Sequence, residues 1–69
     1  GSGDGLAFYR RIVRDAPEHL SAGGILFFEI GWDQAEAVSR LLKDRGFDRI
    51  HVKKDLAGLD RVVYASWME

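Results

Sequence analysis

The stretch ILFFEI at 25–30 is apolar at every position but Glu29 and is built from β-favouring residues. A run without the in-and-out alternation of a half-exposed strand reads as a strand covered on both faces, as in parallel sheets. Such a segment needs neighbours, so whatever flanks it fixes the architecture. Gly31 permits a sharp turn, Asp33 is placed to cap, and Glu36 completes a capping-box pattern that opens a helix over 34–45. Gly46 falls where a left-handed helix terminus belongs.

The flanks carry two further patterns. Upstream, Asp4 is a candidate N-cap, and Leu6, Tyr9, Ile12, Val13, Ala16 and Leu20 recur at helical steps, forming one buried stripe. Pro17 loosens the last turn of that helix, and Ser21-Ala22-Gly23-Gly24 ends it. The second helix buries Ala35, Val38, Leu41 and Leu42, with Glu36 and Arg40 on its wet side. Downstream, Ile50 and Val52 alternate with Arg49, His51 and Lys53, the pattern of a half-exposed edge strand. A loop over 54–60 leads into RVVYASW at 61–67, apolar on both alternations and therefore internal.

The expected fold class is α/β, ordered helix, strand, helix, strand, strand. A right-handed crossover joins the first two strands, and the last strand inserts antiparallel between them. A chain of 69 residues is one small unit with a marginal core, so residues 1–69 are read as a single domain-sized piece. Gly1, Ser2 and Gly3 are an expression scar or the remnant of a glycine turn and carry no weight.

Charge and composition exclude several classes of function. Ten basic and 11 acidic side chains in mixed order, net −1, give no polyanion-seeking field. With no cysteine there is no disulfide, thiolate nucleophile or cysteine metal site, which suits a reducing compartment and makes the cytoplasm the expected location. No apolar run approaches the ~20 residues of a bilayer span. His19 and His51 lack paired ligands, so no metal site is expected and both read as surface residues. EIGW holds one glycine, where a phosphate or adenosyl cradle needs two or three.

A parallel pair with a reversed last strand inserted is similar to the closing section of Rossmann-like methyltransferases dependent on S-adenosylmethionine. DGLAFYRRI at 4–12, SAGGILFFEIG at 21–31, GWDQAEAV at 31–38 and above all KDLAGLDRVV at 54–63 resemble the C-terminal part of protein-(glutamine-N5) methyltransferases acting on peptide chain release factors. In that family the cofactor's glycine-rich loop, the acidic residue on its ribose and the Asn-Pro-Pro-Tyr motif for the target glutamine lie upstream of the matching stretch. The resemblance therefore implies S-adenosylmethionine and a release factor as cofactor and partner of a longer parent. This 69-residue chain is expected to be inactive, with no catalytic or cofactor-binding residue and no cofactor bound. Alternatives are a fragment of a nucleic-acid N-methyltransferase or a non-enzymatic α/β interaction module.

Ligands of open parallel sheets gather beyond the carboxyl ends of the strands. That rim makes Glu29, Trp32, Asp55 and Arg61 the substrate-face candidates. Against this stand a Glu29 that is solvated or else paired with Arg61, an Asp55, Asp60 and Arg61 that brace the loop, and a Trp32 that staples the second helix. Tyr9, Tyr64, Trp67 and the phenylalanines are expected in the core. Without the rest of a parent sheet, the strand at 25–30 leaves an apolar edge exposed, and a homodimer through that edge is expected.

Overall fold

The computed structural model describes residues 5–68. Asp4, the expected first cap, lies outside them. The chain forms helix α1 (Ala7–Asp15), a 3₁₀ turn (Ala16–His19), strand β1 (Ile25–Glu29), helix α2 (Ala35–Arg45), and strands β2 (Phe47–Lys54) and β3 (Asp60–Trp67). The α-helix gives way to the 3₁₀ turn where Pro17, without an N–H, cannot continue the i to i−4 ladder.

The three-stranded sheet has the order β1-β3-β2, with β3 antiparallel to both neighbours. β1 and β2 are thus parallel to each other, and the last strand is inserted between them as the patterning requires. β1 pairs from Ile25 opposite Ser66 to Glu29 opposite Val62.

Both helices lie on one face. Val13 and Ala16 of the first helical segment and Ala35, Val38 and Leu42 of α2 are buried with Phe28, Ile30, Phe47, Val63 and Ala65. The other face is bare: Ile25 and Phe27 are 56% and 61% exposed. The expectation that the 25–30 run is covered on both faces is therefore corrected, because α1 and α2 pack on the Phe28 side alone. The same observation corrects the reading of every phenylalanine as core, since Phe8 on α1 is also 61% exposed.

Two backbone details keep the core in phase. Gly46 has φ +109°, and its amide closes α2 on the carbonyls of Leu42 and Lys43. In β2, the pairs Asp48–Ser66 and His51–Tyr64 leave Arg49 and Ile50 together opposite Ala65, a β-bulge. Arg49 has φ +51°, and its N–H donates to Asp48 Oδ1 at 2.8 Å. The extra residue lets Phe47, before it, and Ile50 and Val52, after it, turn to one face.

Candidate functional site

β1 and β2 end on the same rim. There Glu29 faces Val62, the amide of Ile30 donates to the Arg61 carbonyl at 2.9 Å, and Lys54 faces Asp60. Glu29, Asp55 and Arg61 thus share one end of the sheet, with Trp32 in the turn that follows β1. Trp32 is 62% exposed and is not a staple beneath α2.

The hairpin loop is organised around one carboxylate. Asp55 Oδ1 accepts from the N–H groups of Ala57 (2.9 Å) and Leu59 (3.0 Å), and Oδ2 accepts from Arg61 Nε at 3.0 Å. The Asp55 amide donates to the Leu59 carbonyl, and Gly58 supplies the positive φ that the turn demands. Lys54 Nζ and Asp60 Oδ1 lie 2.7 Å apart and clamp the base of the loop. Its tip presents Leu56, fully open to solvent.

Arg61 is therefore the partner of Asp55 and not of Glu29. The alternation that sets Glu29 with Ile25 and Phe27 on the bare face sets Arg61 with Val63 and Ala65 on the other.

The Leu59 N–H, followed by the Arg61 guanidinium, holds the Asp55 carboxyl below the usual carboxylate range. A carboxyl depressed in the folded state stabilises above its unfolded pKa and loses that contribution as pH falls through the folded value. Asp55→Ala is expected to speed amide exchange at Leu59 about tenfold near neutrality, as for the loss of one such hydrogen bond. Acidification of the native chain from about pH 4 downward, through the depressed folded value, moves the Ala57 and Leu59 amide resonances toward their positions in the variant. Resonances that stay put through that window would mean that Asp55 does not organise the loop.

A second network, on residues assigned only to packing and to the helix start, ties three elements together where β1 exits. Tyr9 of α1 places its hydroxyl 3.0 Å from the Glu29 carbonyl and 3.3 Å from Gln34 Oε1. The same Oε1 accepts the Gly31 N–H at 2.8 Å. Gln34, not Asp33, is the N-cap residue of α2, and its side chain turns back to Gly31 instead of capping the helix. The sequence signal was a tyrosine within an apolar stripe, whose hydroxyl needs a partner when its ring is packed.

This geometry decides whether EIGW is a cofactor cradle. The Gly31 amide is already donated, and a Cβ there would meet Gln34 Oε1 at 3.2 Å and Asp33 Oδ1 at 3.4 Å. The Gly31 end of the turn is filled by the Gln34 and Asp33 side chains. Gly31 does not fit the close backbone approach that an adenosyl cradle requires. Among the described residues there is no His/Cys/Asp/Glu cluster able to hold a metal ion. No described helix is long and apolar enough to cross a membrane.

A β-α-β unit with a returning antiparallel strand and a rigid hairpin at the strand-exit rim matches a solved α/β methyltransferase. The crystal structure of protein-(glutamine-N5) methyltransferase (release factor-specific) from Alicyclobacillus acidocaldarius superposes with TM-score 0.75 at 40% identity, over 96% of this chain and 42% of that one. Among curated proteins, the release factor glutamine methyltransferase of Thermodesulfovibrio yellowstonii is 48% identical over 63 residues, and that of Cereibacter sphaeroides 51% over 63 residues. Each match takes in 91% of this chain, which spans only 23% of the length of these relatives. No protein-family model matches. By sequence and fold the chain is similar to one segment of the release factor glutamine methyltransferases.

Proposed function

We propose that this chain is the C-terminal scaffold of a methyltransferase whose complete form moves a methyl group from S-adenosylmethionine to a glutamine side-chain amide of a peptide chain release factor. The observation that carries this reading is the 48% identity to a release factor glutamine methyltransferase across 91% of the chain. The TM-score of 0.75 to a release factor-specific enzyme supports it. An amide nitrogen is a poor nucleophile because its lone pair is delocalised, so the reaction depends on orientation and water exclusion.

What this segment contributes is a rigid rim. Tyr9 and Gln34 fix the exit of β1 beneath Glu29 and Trp32, and Asp55 and Arg61 hold the hairpin that displays Leu56 toward a protein substrate. The place of action is the cytoplasm, consistent with a chain that contains no cysteine.

The test uses the full-length protein that carries this segment, incubated with methyl-labelled S-adenosylmethionine and either a release factor or total RNA. Label on a release-factor glutamine is the expected result. Label on RNA alone would replace this reading with a nucleic-acid methyltransferase. The 69-residue chain titrated with S-adenosylmethionine should give no saturable heat; saturation would show that the cofactor site is not confined to the part of the parent outside this chain.

A further inference from the structure

The side-chain amide of Gln34 is held between two glycine backbones. Its Oε1 accepts the Gly31 N–H at 2.8 Å, just past the end of β1. Its Nε2 turns the other way, toward Gly5 at the approach to α1. A Cβ added at Gly31 would meet Oε1 at 3.2 Å, and one added at Gly5 would meet Nε2 at 3.2 Å. Both distances are tighter than ordinary contact, so glycine at the two positions is what lets the backbones come this close to the amide. Gly5 also has φ +69°, a conformation that side chains disfavour.

The Tyr9 hydroxyl joins the same group. It has one proton to give and faces two acceptors, the Glu29 carbonyl at 3.0 Å and Gln34 Oε1 at 3.3 Å. Its ring stands edge-on to Phe28 of the core, which fixes where the hydroxyl can reach. The approach to α1, the exit of β1 and the start of α2 thus meet at one carboxamide.

α2 forgoes a cap for this contact. Gln34 occupies its N-cap position and makes no side-chain cap hydrogen bond. A cap would stabilise the helix, so a polar side chain withheld from it breaks a local rule in favour of the turn, as side chains at functional sites do.

We infer that Gln34 is a positioning residue for methyl transfer: through the Gly31 and Gly5 backbones it fixes the strand-exit rim against the chain that enters α1. The inference rests on the reading of this chain as the scaffold of a methyltransferase. Ligands of open α/β sheets gather at that rim. Transfer to a delocalised amide nitrogen depends on alignment, and ~1 Å of misplacement lowers a rate by as much as about a hundredfold. Gln34 acts on where the backbone stands and not on a reacting atom.

The test uses the full-length protein. Gln34→Leu removes the hydrogen bonds to Gly31 and Tyr9 at similar volume and is expected to lower kcat about tenfold or more. The KM for S-adenosylmethionine and the melting temperature change little. Gln34→Glu keeps a side-chain oxygen for the Gly31 N–H and the Tyr9 hydroxyl and restores most of kcat. Gly5→Ala, whose methyl group would press on Nε2, lowers kcat as Gln34→Leu does. Without cofactor or substrate, hydrogen exchange at the Gly31 amide is fast in Gln34→Leu and slow in the native protein and in Gln34→Glu. Native kcat in Gln34→Leu or Gly5→Ala would overturn the inference. So would a loss that Gln34→Glu does not relieve, one that tracks a fall in melting temperature, or a Gly31 amide indifferent to residue 34. The methyl acceptor is read separately: label on RNA in place of a release factor replaces the proposed function, and the same variants then test Gln34 with RNA as substrate. A native protein that labels neither removes both.

Discussion

Deletion of Arg49 is expected to abolish the cooperative fold, whereas Arg49→Gly is expected to strengthen it. The two changes act on one bulge in opposite ways. Phe47 is 4% exposed and lies before the bulge; Ile50 and Val52 follow it on the same face, with Ile50 packed against the core. Side chains alternate with a period of two, so a regular strand cannot send positions 47, 50 and 52 to one side. The pair Arg49–Ile50 opposite Ala65 supplies the missing step.

Without Arg49, either Ile50 and Val52 turn to water while His51 and Lys53 turn toward α2, or Phe47 leaves the core. Exposing one such side chain costs about 1.5–3 kcal/mol, and burying an unpaired lysine costs more. A chain of this size commands only ~3–5 kcal/mol in all. Replacement by glycine keeps the extra residue and removes the penalty of a side chain at φ +51°, a gain of about 1 kcal/mol. Urea unfolding followed by tryptophan fluorescence measures both. A deletion variant as stable as the parent would show that the strand tolerates either phase and that the bulge is incidental.

The bulge also marks where reading the sequence stops. Ile50 and Val52 announce their face by alternation, and RVVYASW announces an internal strand, so the order β1-β3-β2 follows from residue pattern and chain connectivity. Arg49 announces nothing: a positive φ at an arginine is set by the demand that Phe47 and Ile50 share a face, which is a tertiary requirement. The stretch ILFFEI shows a related limit. Its composition belongs to a strand with neighbours on every side, whereas the 69-residue fold covers one face and one edge of it.

At the rim, the gathering of Glu29, Asp55 and Arg61 follows from two parallel strands that exit together. Which charges pair does not. Arg61 stands five residues from Leu56 and far in sequence from Glu29, yet its choice of Asp55 depends on which face β3 turns at its first residues. The Tyr9–Glu29–Gln34 contacts join residues 20 and 25 positions apart, a distance no periodicity spans.

The other large effect is expected from Leu42→Ala. Leu42 and Val38 are fully buried in α2, beneath the sheet residues Phe28, Phe47 and Val63 of the same core. Truncation of a buried leucine removes its transfer free energy and leaves a cavity, a loss of about 3 kcal/mol within a range of 2–5. Against a total of ~3–5 kcal/mol this leaves a substantial unfolded fraction at 25 °C. Leu56→Ala makes the same chemical change at a side chain open to solvent and is expected to shift stability by no more than about 0.5 kcal/mol. The two variants make the same side-chain truncation at a buried and at an open position, so most of their difference reports what the core supplies. Since α2 packs on both β2 and β3, weakening its core also loosens the hairpin between them. Leu42→Ala should therefore raise amide exchange at Leu59 along with the rest of the sheet, whereas Asp55→Ala raises it at the loop alone. Equal, small effects of Leu42→Ala and Leu56→Ala would mean that the sheet and α2 do not share the core described.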